Sequence, residues 1–265
     1  MNQRQLRSLA SVTVVILVAV AGCFKNQRQG GQTGGTQSCT DEFRAGQPTA
    51  GVDGTRVLCR LDYVSVYDPA RKVPLVVGEH LTVAELQGDT PRSDNFAPDP
   101  DLQSGERAEL TDYRASGYDR GHMAPAADFV GGDTQMTQSF YLSNMVPQNG
   151  ELNRGFWAGL EDATRACVRS LGEAYVLTGP VFEGRVRTIG PDRVAVPSSL
   201  YKIVVSGNSA RAFLIPNRAV PKSSRFPRYE TTVDEVQRAT GLTFFPAGGV
   251  NTQATGTFCA GNFGS

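Results

Sequence analysis

Apolar residues recur along this chain with two different periods, and the periods separate its elements. The stretch TRVLCRLDYVSVYDP alternates, with Val57, Cys59, Leu61, Tyr63 and Ser65 on one face, and predicts a strand. The apolar run VPLVV that follows predicts another. Residues 87–117 are rich in Asp, Pro, Arg and Ser and predict long loops. FYLSNMVPQ reads as a short strand ending in a turn at Pro147. In LNRGFWAGLEDATRACVRSLG the period changes. Phe156, Leu160, Ala163, Cys167 and Leu171 recur at spacings of three and four, which predicts a helix stopped by Gly172. EAYVLTGPVF, RVAVPSSLYKIVVSG and ARAFLIPN predict strands between Gly, Pro and Asn punctuation. TTVDEVQRATG predicts a short helix with a capping box from Thr232 to Glu235. The order is mixed α+β, mostly strands with two clear helices.

The first residues follow neither period. MNQRQLRS carries Arg4 and Arg7, and the apolar run LASVTVVILVAVAG leads to Cys23. A basic segment before a short apolar run predicts a signal peptide over residues 1–22. The run is short for a spanning helix, which needs about 20 residues. Its ending, VAGC, resembles a bacterial lipobox, which implies a lipid on Cys23 and an exported protein anchored to the membrane of the cell envelope, periplasmic or at the cell surface. Residues 25–38, KNQRQGGQTGGTQS, have nothing to bury and predict a flexible tether. The expected organisation is therefore a signal over 1–22, a lipidated cysteine and tether over 23–38, and one domain over 39–265.

The four remaining cysteines, Cys39, Cys59, Cys167 and Cys259, suit two disulfides in an oxidising compartment, with three pairings open. The favoured pairing joins Cys39 to Cys59, which flank one short segment, and Cys167 on the long helix to Cys259 near the chain end. No CxxC spacing and only two histidines argue against a structural zinc site.

Charge changes the picture only locally. Lys plus Arg and Asp plus Glu number 26 each, so attraction to a polyanion has to come from particular places. The cations are 22 Arg and four Lys, and the guanidinium fork suits phosphate. From Arg193 to Arg228 seven basic residues (Arg193, Lys202, Arg211, Arg218, Lys222, Arg225 and Arg228) occur with no acidic one, which suits either a phosphate-tracking face or scattered surface charge. Of the two histidines, His80 reads as a surface residue. His122 lies in YDRGHMAPAADF, where on a strand Arg120 and His122 share one face. A permanent cation then stands beside a group that titrates near neutral pH, a pair suited to phosphate chemistry.

Three blocks stand together: TPRSDNFAPDPDL, DRGHMAPAADF, and SFYLSNMVPQNGELNRGFWAGLE from Ser139 to Glu161. The set resembles the DNA/RNA non-specific endonuclease family, the ββα-metal nucleases, from about Val57 to near the C-terminus and most closely over Tyr118–Glu161. The resemblance implies a central antiparallel sheet with flanking helices and long loops, and a histidine strand followed by a helix carrying a metal ligand. It places His122 on the general base, Asn153 on the magnesium ligand and Glu161 on a carboxylate that reaches the ion through water. Arg120 and Arg92 fall on phosphate contacts, and Asn144 on a position close to the histidine. It also implies DNA and RNA as substrates and 5′-phosphate products. No protein partner is inferable.

Elementary chemistry reaches the same roles. Imidazole accepts a proton near neutral pH. Mg2+, with Mn2+ or another divalent ion as a substitute, prefers oxygen ligands and keeps several waters. A single amide oxygen from Asn153 would leave its charge for the phosphate. Eight helical residues rise about 12 Å, so Glu161 would reach an ion on Asn153 only through water. Trp157 between them reads as a packing residue. Two other readings share these residues: a phosphodiesterase for another phosphate ester, and an inactive nucleic-acid-binding lipoprotein.

Overall fold

Apolar residues stand at consecutive strand positions here because both faces of the main sheet are covered. The computed structural model describes residue 39 and residues 41–264; the expected signal, Cys23 and the tether lie outside them. The main strands are β1 (Arg56–Cys59), β2 (Val64–Asp68) and β3 (Val73–Thr82), followed by a separate pair, β4 (Tyr118–His122) and β5 (Met145–Asn149). Helix α1 (Ala158–Leu171) follows. Then come β6 (Glu173–Val181), β7 (Ser199–Ser206), β8 (Ser209–Pro216), β9 (Glu230–Thr231) and helix α2 (Val233–Thr240). Seven strands form one antiparallel sheet in the order β9-β8-β7-β6-β3-β2-β1. The fold is the expected α+β arrangement of a central antiparallel sheet with flanking helices.

Strand alternation sorts the core into two layers. Val73, Val77, Val176, Leu200, Val204 and Phe213 pack on the face that carries α1, through Leu160, Cys167 and Val168. Val66, Val76, Leu177, Tyr201, Ile203 and Val205 pack on the other face with Val233 and Val236 of α2. Thr232 caps α2 by accepting from the Glu235 amide, and Gly241 ends it at a positive φ.

Four elements differ from the periodicity reading. The alternating stretch from residue 55 is two strands, because the chain turns back at Arg60–Tyr63, with the Arg60 amide donating to the Tyr63 carbonyl at 2.9 Å. Leu61, expected on the apolar face, lies exposed on that turn. RVAVPSSLYKIVVSG is also two strands, Val194–Val196 and β7, parted at Pro197, which lacks the amide a ladder needs. FYLSNMVPQ begins as irregular chain and a 3₁₀ turn at Leu142–Asn144, and its strand runs through Pro147 to Asn149. The Met123 amide donates to the Asn144 carbonyl, so hydrogen-bonded pairs alternate from there and the Arg120–Pro147 pair falls between them. Pro147 therefore removes no ladder bond. Finally, the long helix opens with a turn at Gly150–Leu152 and a π turn at Asn153–Trp157 before α1 begins.

Both expected disulfides are present, Cys39–Cys59 and Cys167–Cys259. The second pins the tail to α1. Phe263 is buried there, its ring centroid 5.2 Å from that of Phe213, and Arg211 donates to the Phe258 carbonyl at 2.9 Å. Replacing Cys167 and Cys259 by serine opens a loop of 92 residues. We expect a loss of about 2–5 kcal/mol of unfolding free energy in urea titrations. An unchanged midpoint would show that the bridge adds nothing.

Candidate active site

Pairing of β4 with β5 sets His122 opposite Met145, Arg120 opposite Pro147 and Tyr118 opposite Asn149. Gly121 has a steric reason to lie between Arg120 and His122. A Cβ there would stand 2.0 Å from Oε1 of Gln148, whose side chain crosses the strand at that point.

Two phenylalanines organise the cations. Phe96 and Phe140 meet edge to face at 4.9 Å. The His122 ring lies 5.6 Å from Phe96 and 5.0 Å from Phe140. The Arg120 guanidinium sits 4.2 Å from the Phe96 centroid and that of Arg92 sits 4.9 Å from Phe140. A cation held over a ring face in this way does not use its N–H groups in the contact. Arg92 also donates to Asp94 at 2.6 Å. Its loop is held in place by an isolated bridge between Ala97 and Tyr141.

His122 is 8 % exposed, and its Nε2 is buried without a hydrogen-bond partner. Burial first, then the charges of Arg92 and Arg120, depress its pKa from 6.5 to about 3. The imidazole is therefore neutral at physiological pH. Asn144 does not join this cleft. It is fully buried and clasps the backbone beyond the histidine: Oδ1 accepts from the Ala124 amide at 2.9 Å, and Nδ2 donates to the Ala124 and Ser139 carbonyls.

The helical side of the site starts at Asn149, whose side chain accepts from the Leu152 amide at 3.1 Å. Asn217 braces that junction, accepting from the Asn149 amide and donating to the carbonyls of Pro147 and Pro197. Asn153 follows on the π turn. Its Nδ2 donates to Asp119 Oδ2 at 2.9 Å, and Arg154 pairs with the same carboxylate at 2.6 Å. On a regular α-helix, Asn153 and Glu161 would point about 80° apart around the axis. The wider π turn advances less per residue and brings them towards one face. Trp157 is fully buried, as a packing residue should be.

Beneath α1 lies a buried ionic layer. Lys202 donates to Thr178 Oγ1 at 2.7 Å, and its Nζ is 5.4 Å from the Trp157 ring. Glu79 is fully buried, and its carboxyl pKa is raised well above the ordinary value, by burial and then by Asp128, with Lys202 opposing. Arg165 of α1 pairs with Asp128, in the loop after His122, at 2.7 Å. Burial raises the Glu161 carboxyl to about 7, with Lys202 and Arg165 opposing.

The fold brings Arg92, Arg120, His122, Asn153 and Glu161 to the wall of one cleft of about 390 Å³. The donors fit a hard cation that keeps most of its waters: one amide oxygen, left to the cleft because the nitrogen is taken by Asp119, and one carboxylate nearby. Among the described residues no cluster of three or more His, Cys, Asp or Glu could hold an ion by itself.

The expected basic face does not form as one surface. Lys202 and Arg211 are buried, and Arg211 is paired with Glu230 at 2.6 Å, because alternate residues of β7 and β8 point into the packed layer. His80 is half-buried rather than free on the surface. It stacks on Tyr175 at 4.2 Å, with Nε2 3.0 Å from Glu173, and does not line the cleft. Sequence reasoning passed over Asp119, Phe96, Phe140 and Arg154. Asp119 alone carried a signal, as a carboxylate adjoining Arg120.

Comparison with known proteins identifies the family. The DNA/RNA non-specific endonuclease family model matches residues 43–250. Nuclease C1 of Cunninghamella echinulata var. echinulata is 39% identical over 222 residues, 76% of this chain and 86% of that protein. Human mitochondrial endonuclease G is 36% identical over 203 residues, covering 71% and 68%. Mitochondrial nuclease EXOG of Danio rerio is 35% identical over 204 residues, covering 70% of this chain, which spans only 60% of that relative's length. A solved EndoG/EndoGI complex contains a chain of 32% identity with a TM-score of 0.72, over 78% of this chain and 91% of that one. The cleft, the strand pair and the helix that follows all lie inside the matched span, and the chain belongs to the DNA/RNA non-specific endonuclease family.

Proposed function

We propose that this chain is a magnesium-dependent endonuclease that hydrolyses phosphodiester bonds of DNA and RNA with little sequence preference. The observation that carries this reading is the neutral, unpartnered imidazole of His122 in one cleft with two aromatic-backed arginines, Asn153 and Glu161. The neutral His122 imidazole takes the proton of the attacking water. The water oxygen bonds to phosphorus as the bond to the 3′-oxygen breaks, leaving a 5′-phosphate and a 3′-oxyanion that takes a proton from bulk water to become the 3′-hydroxyl. Arg92 and Arg120 turn their N–H edges to the charge that grows on the phosphoryl oxygens. Asn153 Oδ1 would hold the ion, with Glu161 reaching it through water; when bound, the ion supplies Lewis-acid charge to the phosphate and the leaving oxygen. A depressed pKa makes His122 a weaker base than an ordinary histidine, but it keeps the lone pair available at every pH above about 3.

The reading is tested by incubating the chain with plasmid DNA and with RNA, with and without Mg2+. Cleavage of both polymers only with the ion is expected. His122→Ala should lower the rate by about 100-fold or more, the scale of a general base, with DNA binding retained. A variant within tenfold of the parent would remove His122 from that role.

The electrostatics have their own test in metal-free protein. The unfolded chain binds the His122 proton below pH 6.5, while the folded chain refuses it down to about 3. Stability from this group is therefore complete above pH 6.5 and drains away as the pH falls towards 3. Glu161 works in the opposite sense: its folded value of about 7 exceeds 4.5, so its contribution is lost as the pH rises between them. In thermal melts, His122→Gln should flatten the acid decline, and Glu161→Gln the decline from 4.5 to 7. Parallel profiles for parent and variants would contradict both environments.

We also infer export with a lipid anchor on Cys23, which rests on the VAGC ending and is consistent with two disulfides in a small domain. Cys23→Ser should release the protein from the membrane fraction or block its processing. Unchanged fractionation, with no lipid label on the parent, would refute the anchor.

A further inference from the structure

The junction of β4 with the helix start gives work to a carboxylate that the proposed chemistry leaves unused. We propose that Asp119 is a positioning residue that holds the Asn153 amide with its oxygen towards the cleft and ties Arg154 to the same rim. This rests on the reading of Asn153 as the ion's protein ligand.

The two ends of an asparagine amide have nearly the same shape but opposite hydrogen-bonding character. Either end fits the space; only one fits the ion. An ionised carboxylate accepts and never donates. The Asn153 nitrogen, 2.9 Å from Asp119 Oδ2, therefore has a partner in one orientation only. Turning the amide over would set two oxygens against each other with no proton between them. Asp119 is itself held, because Arg154 Nη1 donates to both its oxygens at 2.6 Å. Gly150 leaves the room for this: a Cβ there would stand 2.6 Å from Arg154 Nη2. The strand pleat explains how one short segment serves both halves of the site. Arg120 and His122 alternate with Asp119 along β4, and Asp119 lines the rim of the same cleft, where it meets Asn153 and Arg154.

Magnesium affinity, measured by calorimetry on the intact chain, tests the proposal without reference to turnover. Asp119→Asn keeps the size of the side chain but lets the amide at 153 turn either way. We expect it to weaken Mg2+ binding by about tenfold or more, the scale of a lost ligand-orienting partner. Asp119→Ser is measured beside it, so that misfolding of one variant leaves the other decisive. The loss should persist from about 0.15 to 1 M salt, where the screening length falls from about 8 to 3 Å. A loss that vanishes at high salt would mean that Asp119 acts as a distant charge, and would overturn the positioning role. The double variant Asp119→Asn with Asn153→Asp restores a donor facing a carboxylate and leaves one oxygen for the ion. It should bind Mg2+ as tightly as Asn153→Asp alone, because a carboxylate at 153 has no wrong end to present, whereas loss of a merely structural residue would weaken binding in that background too. Asn153→Ala separates this inference from its foundation. If Asn153→Ala binds Mg2+ as the parent does, the ion's assignment to Asn153 falls. If Asn153→Ala loses the ion but both Asp119 variants keep it within twofold, only the positioning role falls.

Discussion

Everything in the cleft depends on the register of one five-residue ladder. β4 and β5 pair from Tyr118 with Asn149 to His122 with Met145. That register decides which side of the ribbon carries Arg120 and His122, because a slip of one residue would send both to the opposite face. It also decides where the helix begins, since Asn149 is at once the last residue of β5 and the cap of the turn leading to Asn153. Gln148 lying across Gly121, and Asn217 bonded to the Asn149 amide and the Pro147 carbonyl, make any other register costly.

Around this ladder the chain uses apolar surroundings to set charge. His122 is neutral because its ring is enclosed by Phe96 and Phe140 and faces two guanidinium groups. The same rings hold the two arginines by cation–π contact, so two cations stand beside one imidazole. Under α1 the layer of Glu79, Lys202, Asp128 and Arg165 works at low dielectric, where a lone charge is expensive and a paired one tolerable. The Arg165–Asp128 pair joins the site helix to the loop that leaves the histidine strand.

The tail and the long loops complete the frame. Residues after β3 form a long loop, and Arg92 reaches the cleft where the Ala97–Tyr141 bridge pins that loop beside Phe140. Cys259 and Phe263 fasten the chain end to α1 and β8, on the side of the helix away from Asn153 and Glu161 in sequence order.

The sequence by itself determined the α+β class, the long helix with its stop at Gly172, α2 with its Thr232 cap, the disulfide partners it favoured, and the family to which DRGH and LNRGFWAGLE point. These are local or motif-bound signals: side-chain period, capping chemistry, and ordered blocks of residues. Only the tertiary structure decided the rest. The turn at Arg60–Tyr63 keeps the alternation intact on both sides, so period alone could not reveal it. The π turn leaves the apolar spacing of the helix nearly unchanged while rotating Asn153 towards Glu161. Lys202 and Arg211 read as surface cations until the sheet covered both its faces and gave them Thr178 and Glu230. Asn144 sits beside the histidine motif in the fold, but its three hydrogen bonds go to backbone, a distinction invisible to residue type. Asp119 could be seen next to Arg120, but its hold on Asn153 spans 34 residues and exists only because β4 and the helix start meet in space.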